Sequence, residues 1–99
     1  MVHHIPAMSD EETRFGELKR LLRRFVSGED RSQRFVREEI GDLLEQRFPG
    51  GAGFPDAALF EDLEVAVGCY RPEGGQVMYD EEQMTAICAA ILSALEALP

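Results

Sequence analysis

Apolar side chains recur every three or four positions in four stretches of the chain, the spacing that gathers them on one face of a helix. In the first, Phe15, Leu18, Leu22, Phe25 and Val26 form such a face. Ser9 with Glu12 three residues on reads as a capping box at its start, and Ser27-Gly28 offers a left-handed stop. The second opens at Asp30 with Gln33, buries Val36, Ile40, Leu43, Leu44 and Phe48, and is broken by Pro49-Gly50-Gly51. The third opens around Pro55-Asp56, carries Leu59, Phe60, Leu63, Ala66, Val67 and Tyr70, and ends in Arg71-Pro72-Glu73-Gly74-Gly75. Asp80 with Gln83 caps the fourth, where Tyr79 and Met84 stand as a hydrophobic staple. Its inner face is Met84, Ile87, Cys88, Ile91, Leu92 and Leu95.

Two-residue alternation is absent apart from a short extended candidate at Gln76–Tyr79. Four amphipathic helices with short links predict an all-α fold, an antiparallel four-helix bundle in up-down order. Its expected extent is one domain over residues 9–99, preceded by a disordered tail at 1–8. A chain of 99 residues supports one core, burying about 60–65% of its unfolded surface. No apolar run reaches the roughly 20 residues of a membrane span, and MVHHIPAM lacks the features of a secretory signal. A cytoplasmic location is therefore expected, with no membrane partner.

Charge changes the picture more than composition does. The net charge is −9, and it is unevenly placed. Residues 1–48 hold ten acidic and nine basic side chains, whereas residues 49–99 hold nine acidic side chains and only Arg71 as a base. A surface of one sign repels nucleic acid and steers a basic partner. The carboxylates that would form it are Glu61, Asp62 and Glu64 on the third helix, Glu73 in the loop, and Asp80, Glu81 and Glu82 at the fourth helix start. Acids in a first turn also complement the helix dipole, at about 0.3–1 kcal/mol each. That accounts for Asp80–Glu82 but not for the missing bases. Val65 and Cys69 flank Glu61 and Asp62, either as apolar anchors or as the core's edge, and Phe35 falls off its helix's stripe near Glu39 and Asp42. Lys19, Arg20, Arg23 and Arg24 make a basic strip that nearby acids can neutralise. Ala86, Ala89, Ala90, Ser93 and Ala97 form a small-residue face on the fourth helix, a candidate homodimer contact.

Residues for catalysis are sparse. His3 and His4 lie in the tail, and Cys69 and Cys88 have no histidine in the folded region. Glu-x-x-His pairs, the metal ligands of helical bundles, do not occur. Gly50-Gly51-Ala52-Gly53 lacks the lysine of a phosphate loop. The expectation is a binding protein, not an enzyme, with no cofactor and no metal.

The run LLRRFVSGEDRSQRF at Leu21–Phe35, the sequence AVGCYRP at Ala66–Pro72, and Tyr79-Asp80-Glu81 opening the last helix resemble the colicin D-type immunity proteins. The resemblance spans roughly residues 15–98. It implies a four-helix protein that blocks the basic active site of a cognate tRNA-cleaving bacterial toxin, its acidic side chains standing in for substrate phosphates. By position it marks Glu73, Asp80 and the aromatic Tyr79 as partner contacts. Gly74 and Gly75 depart from the family's more acidic loop. The alternative class is a self-associating helical adaptor or regulatory subunit using the alanine-rich face.

Overall fold

The computed structural model describes residues 10–74 and 79–98, with side chains from residue 15 onward. The Ser9 cap, the tail with His3 and His4, and residues 75–78 lie outside them. Helix α1 spans Asp10–Val26. A π-helical segment, π1, spans Phe35–Gly41 and runs directly into α2 at Asp42–Arg47. A 3-10 turn follows at Pro49–Gly51, then α3 at Ala57–Cys69 and α4 at Glu81–Glu96. The fold is all-α, as the periodicity predicts. The nearest thing to a strand among the described residues is a parallel bridge between Tyr70 and Tyr79, where Tyr79 N–H donates to the Cys69 carbonyl and Arg71 N–H to that of Tyr79.

The end of α1 is closed as its sequence predicts. Gly28 takes φ +86°, its N–H donating to Phe25 O at 3.1 Å while the Glu29 N–H donates to Arg24 O at 3.0 Å. This is the paired arrangement a left-handed glycine makes possible. Arg31 completes it from the next segment, donating from Nε to Phe25 O at 2.8 Å and from Nη2 to Val26 O at 2.7 Å. One guanidinium thus supplies a donor to the Val26 carbonyl at the open end of the helix and a second donor to the Phe25 carbonyl.

The second helix starts differently from the expected opening at Asp30 with Gln33. Asp30 instead accepts from Ser32 N–H at 3.0 Å and Ser32 Oγ at 2.8 Å, and those bonds hold its carboxyl below the usual range. Ser32 Oγ in turn accepts from Phe35 N–H at 3.0 Å, so Ser32 is the cap, while the Gln33 amide reaches across to Tyr70 O. An aspartate two residues from a free N–H satisfies itself locally before it can serve a donor further on. The π1 geometry then settles Phe35. Its i→i+5 repeat sets Phe35 on the same side as Ile40, so Phe35, Val36 and Ile40 are all buried, the Arg24 guanidinium lying 4.9 Å from the Phe35 ring centre.

At α3, Asp56 accepts from Ala58 and Leu59 N–H. At α4 the Asp80–Gln83 capping box forms in both directions, at 2.9 and 3.0 Å. The predicted inner faces meet in one core that includes Leu18, Leu22, Phe25, Ile40, Leu63, Ala66, Met84, Cys88, Ile91 and Leu95. Aromatic rings close both ends of it. Phe15 stacks on Phe48 at 5.3 Å, and Phe54 meets Phe15, Phe48 and Phe60 edge-on. At the other end Phe25 meets Tyr70 at 5.4 Å. No helix among the described residues is long and apolar enough to cross a membrane.

Candidate partner-binding surface

Several arginines of the first half are paired with carboxylates. Arg20 pairs with Glu17, Arg24 with Glu29 at 2.8 Å, and Arg34 with Glu38 at 3.2 Å. Arg23 reaches Glu96 on α4 at 2.7 Å. The basic strip of α1 is therefore largely matched by carboxylates, as its neighbours in sequence suggest. These pairs are surface contacts, of little value to stability.

The carboxylates of the second half are different. Glu61, Asp62, Glu64, Glu73 and Glu82 are exposed, and none has an ion-pair or hydrogen-bond partner among the described residues. Glu61, Asp62 and Glu64 ride the outer side of α3, because Phe60, Leu63 and Ala66 hold the inner side in the core. Val65, half exposed, is the one large apolar residue standing in solvent among the described residues, in the middle of these acids. Cys69 is half-buried.

The remaining predicted residues collect around Tyr70 and are partly committed to the fold. Asp80 is half-buried and its carboxylate caps α4. Glu81 lies 3.6 Å from Arg31. Tyr79 is half-buried against the core and bridged to Tyr70. Tyr70 itself is sealed from solvent, and its hydroxyl donates to Arg31 O at 2.6 Å. Burial pushes that hydroxyl up to about 12, with the charges of Glu81 and Glu73 adding to the effect. Among the described residues the predicted acids thus fall into an α3 group free of intramolecular partners and an α4 group tied into capping and the Arg31 link, with Glu73 and Glu82 unpaired beside it. Among the described residues no three His, Cys, Asp or Glu side chains converge as a metal site.

One feature escaped the periodicity. A cleft of about 300 Å³ separates the second helix from α3. Gly41, Leu44, Val67 and Gly68 line its apolar part, and Asp42, Glu45 and Glu64 stand with Arg37 around it. Gly41 belongs to the close crossing, since a Cβ there would come within 3.2 Å of Val67. Gly68 faces open space. Glycines inside two helical stretches were the available signal, for they weaken helices unless something needs the room.

In comparisons with known proteins, no family model, no curated protein and no solved structure matches this chain.

Proposed function

We propose that the chain is a non-catalytic immunity-type inhibitor that binds the basic active site of a bacterial toxin, a nuclease or tRNase domain, with carboxylates taking the place of substrate phosphates. One observation carries this: Glu61, Asp62, Glu64, Glu73 and Glu82 stand exposed without cationic partners among the described residues, in a half of the chain whose one base is Arg71. Unpaired carboxylates of one sign keep their field for a partner. The resemblance to colicin D-type immunity proteins supports the same partner class. A cytoplasmic protein with no bound cofactor fits this role.

For the helix arrangement, the Phe15–Phe48 and Phe25–Tyr70 contacts support alternating directions for α1, the second helix and α3. The Arg23–Glu96 and Arg31–Glu81 contacts draw both ends of α4 toward the C-terminal part of α1. An antiparallel four-helix bundle is thus proposed with its fourth member laid obliquely.

The test is capture from host lysate at low salt, followed by mass spectrometry and a nuclease assay on what is retained. A basic toxin domain that salt releases, and that the chain neutralises one to one, is the expected result. Its association rate falls steeply with ionic strength, and joint reversal of Glu61, Glu64 and Glu73 to Lys weakens it by several kcal/mol if the pairs are central. A salt-independent association would overturn the electrostatic reading. Recovery of the chain alone, as an oligomer broken by Ala89→Leu, would favour the adaptor, whose face at Ala86, Ala89, Ala90, Ser93 and Ala97 is exposed.

A further inference from the structure

The cleft between the second helix and α3 has a composition unlike the rest of the surface. Its apolar wall is the half-buried Val67, with the buried Leu44 beneath it and Gly41 packed against Val67, while Gly68 leaves backbone open to close approach. Around it stand Asp42, Glu45 and Glu64, none with a partner among the described residues, against a single base, Arg37. At about 300 Å³ it is at the small end of ligand cavities, sized for a few side chains. Arg37 and Gly41 both come from π1, whose wider turn shapes that wall. Single-turn π geometry inside helices is frequent at functional sites.

We infer that this cleft is the docking groove for a cationic amphipathic helix of a partner protein. The helix would lay its apolar face on Val67 and close to the open backbone at Gly68. Its lysines or arginines would meet Asp42, Glu45 and Glu64 at the rim. Charge complementarity selects this occupant, since an anionic segment would face three carboxylates with one arginine in return. This rests on the proposed acidic partner-binding role and deepens it: the central contact moves from the α4 start, where Asp80 and Glu81 are committed to the fold, to the second helix and α3.

The probe is a short synthetic peptide with lysine and leucine at helical spacing, titrated at low salt into the isotope-labelled full chain and followed by amide chemical shifts. Shifts centred on Gly41, Leu44, Val67 and Gly68 are expected. Gly68→Leu puts a side chain into the groove where a new Cβ meets nothing within 4 Å, and affinity drops roughly tenfold or more while far-UV circular dichroism stays that of the parent. Glu64→Lys, at an exposed side chain, gives a comparable loss through charge alone. If Gly68→Leu and Glu64→Lys bind as the parent does, with shifts clustered at Glu73 and Glu82, the groove assignment falls and the acidic-surface reading stands. If the peptide does not bind at all at low salt, both fall.

Discussion

Replacing Tyr70 with Phe tests the best-defined polar contact in the interior. The ring and its edge-on meeting with Phe25 remain, while the hydroxyl that donates to Arg31 O at 2.6 Å is lost. Such a bond has a net value of about 1 kcal/mol, and the carbonyl left behind adds to the cost. The variant is therefore about 1–2 kcal/mol less stable at neutral pH, or roughly 5–10 °C lower in Tm for a domain of this size. The pH dependence gives a sharper test. Burial raises the Tyr70 hydroxyl from its ordinary value of 10.0 to about 12. A folded-state value above the unfolded one gives a contribution fully present below pH 10 and lost as pH rises from there through 12. At about pH 11 the wild type has lost about 1.4 kcal/mol from this group, and the variant has nothing there to lose. Cys88, whose thiol is also pushed up to about 12 by burial, is present in both proteins. Urea denaturation followed by far-UV circular dichroism at about pH 8 and pH 11 should show the gap closing almost completely. A gap unchanged between the two conditions would mean that the hydroxyl is not sealed, and the account of Tyr70 would be wrong.

Other consequences can be read with equally simple measurements. Asp80→Ala removes one arm of the α4 capping box and should cost about 1 kcal/mol in denaturant titration. Asp80→Asn keeps a good cap and should stay within a few tenths, so a binding defect seen with Asn alone would assign the charge to a partner and not to folding. Of the two thiols, Cys88 is buried and pushed up to about 12 by that burial, whereas Cys69 is half-buried. A disulfide reagent should label Cys69 first and Cys88 only on unfolding; equal native rates would contradict the burial of α4.

The all-α fold was legible because each helix carries its own stripe, and the stop of α1 and the caps of α3 and α4 are declared within a few residues. Gly28, the Asp56 and Asp80 caps, and the inner faces of α3 and α4 are local properties, fixed by backbone conformation and side-chain period. The uneven charge is also written in the sequence, since it is only a sum over positions. The tertiary structure decided what depends on residues far apart in the chain. Ser32 replaced Asp30 as cap because a competing local bond formed first, and a π turn, invisible to a 3.6-residue period, carried Phe35 into the core. Which carboxylates remain unpaired depended on where Arg23 and Arg31 could reach, and Glu81 proved committed while Glu64 did not. The cleft exists only because Gly41 and Gly68, twenty-seven positions apart, come to line one gap between helices. Local chemistry sets the elements; the space between them arises from packing, which no single segment encodes.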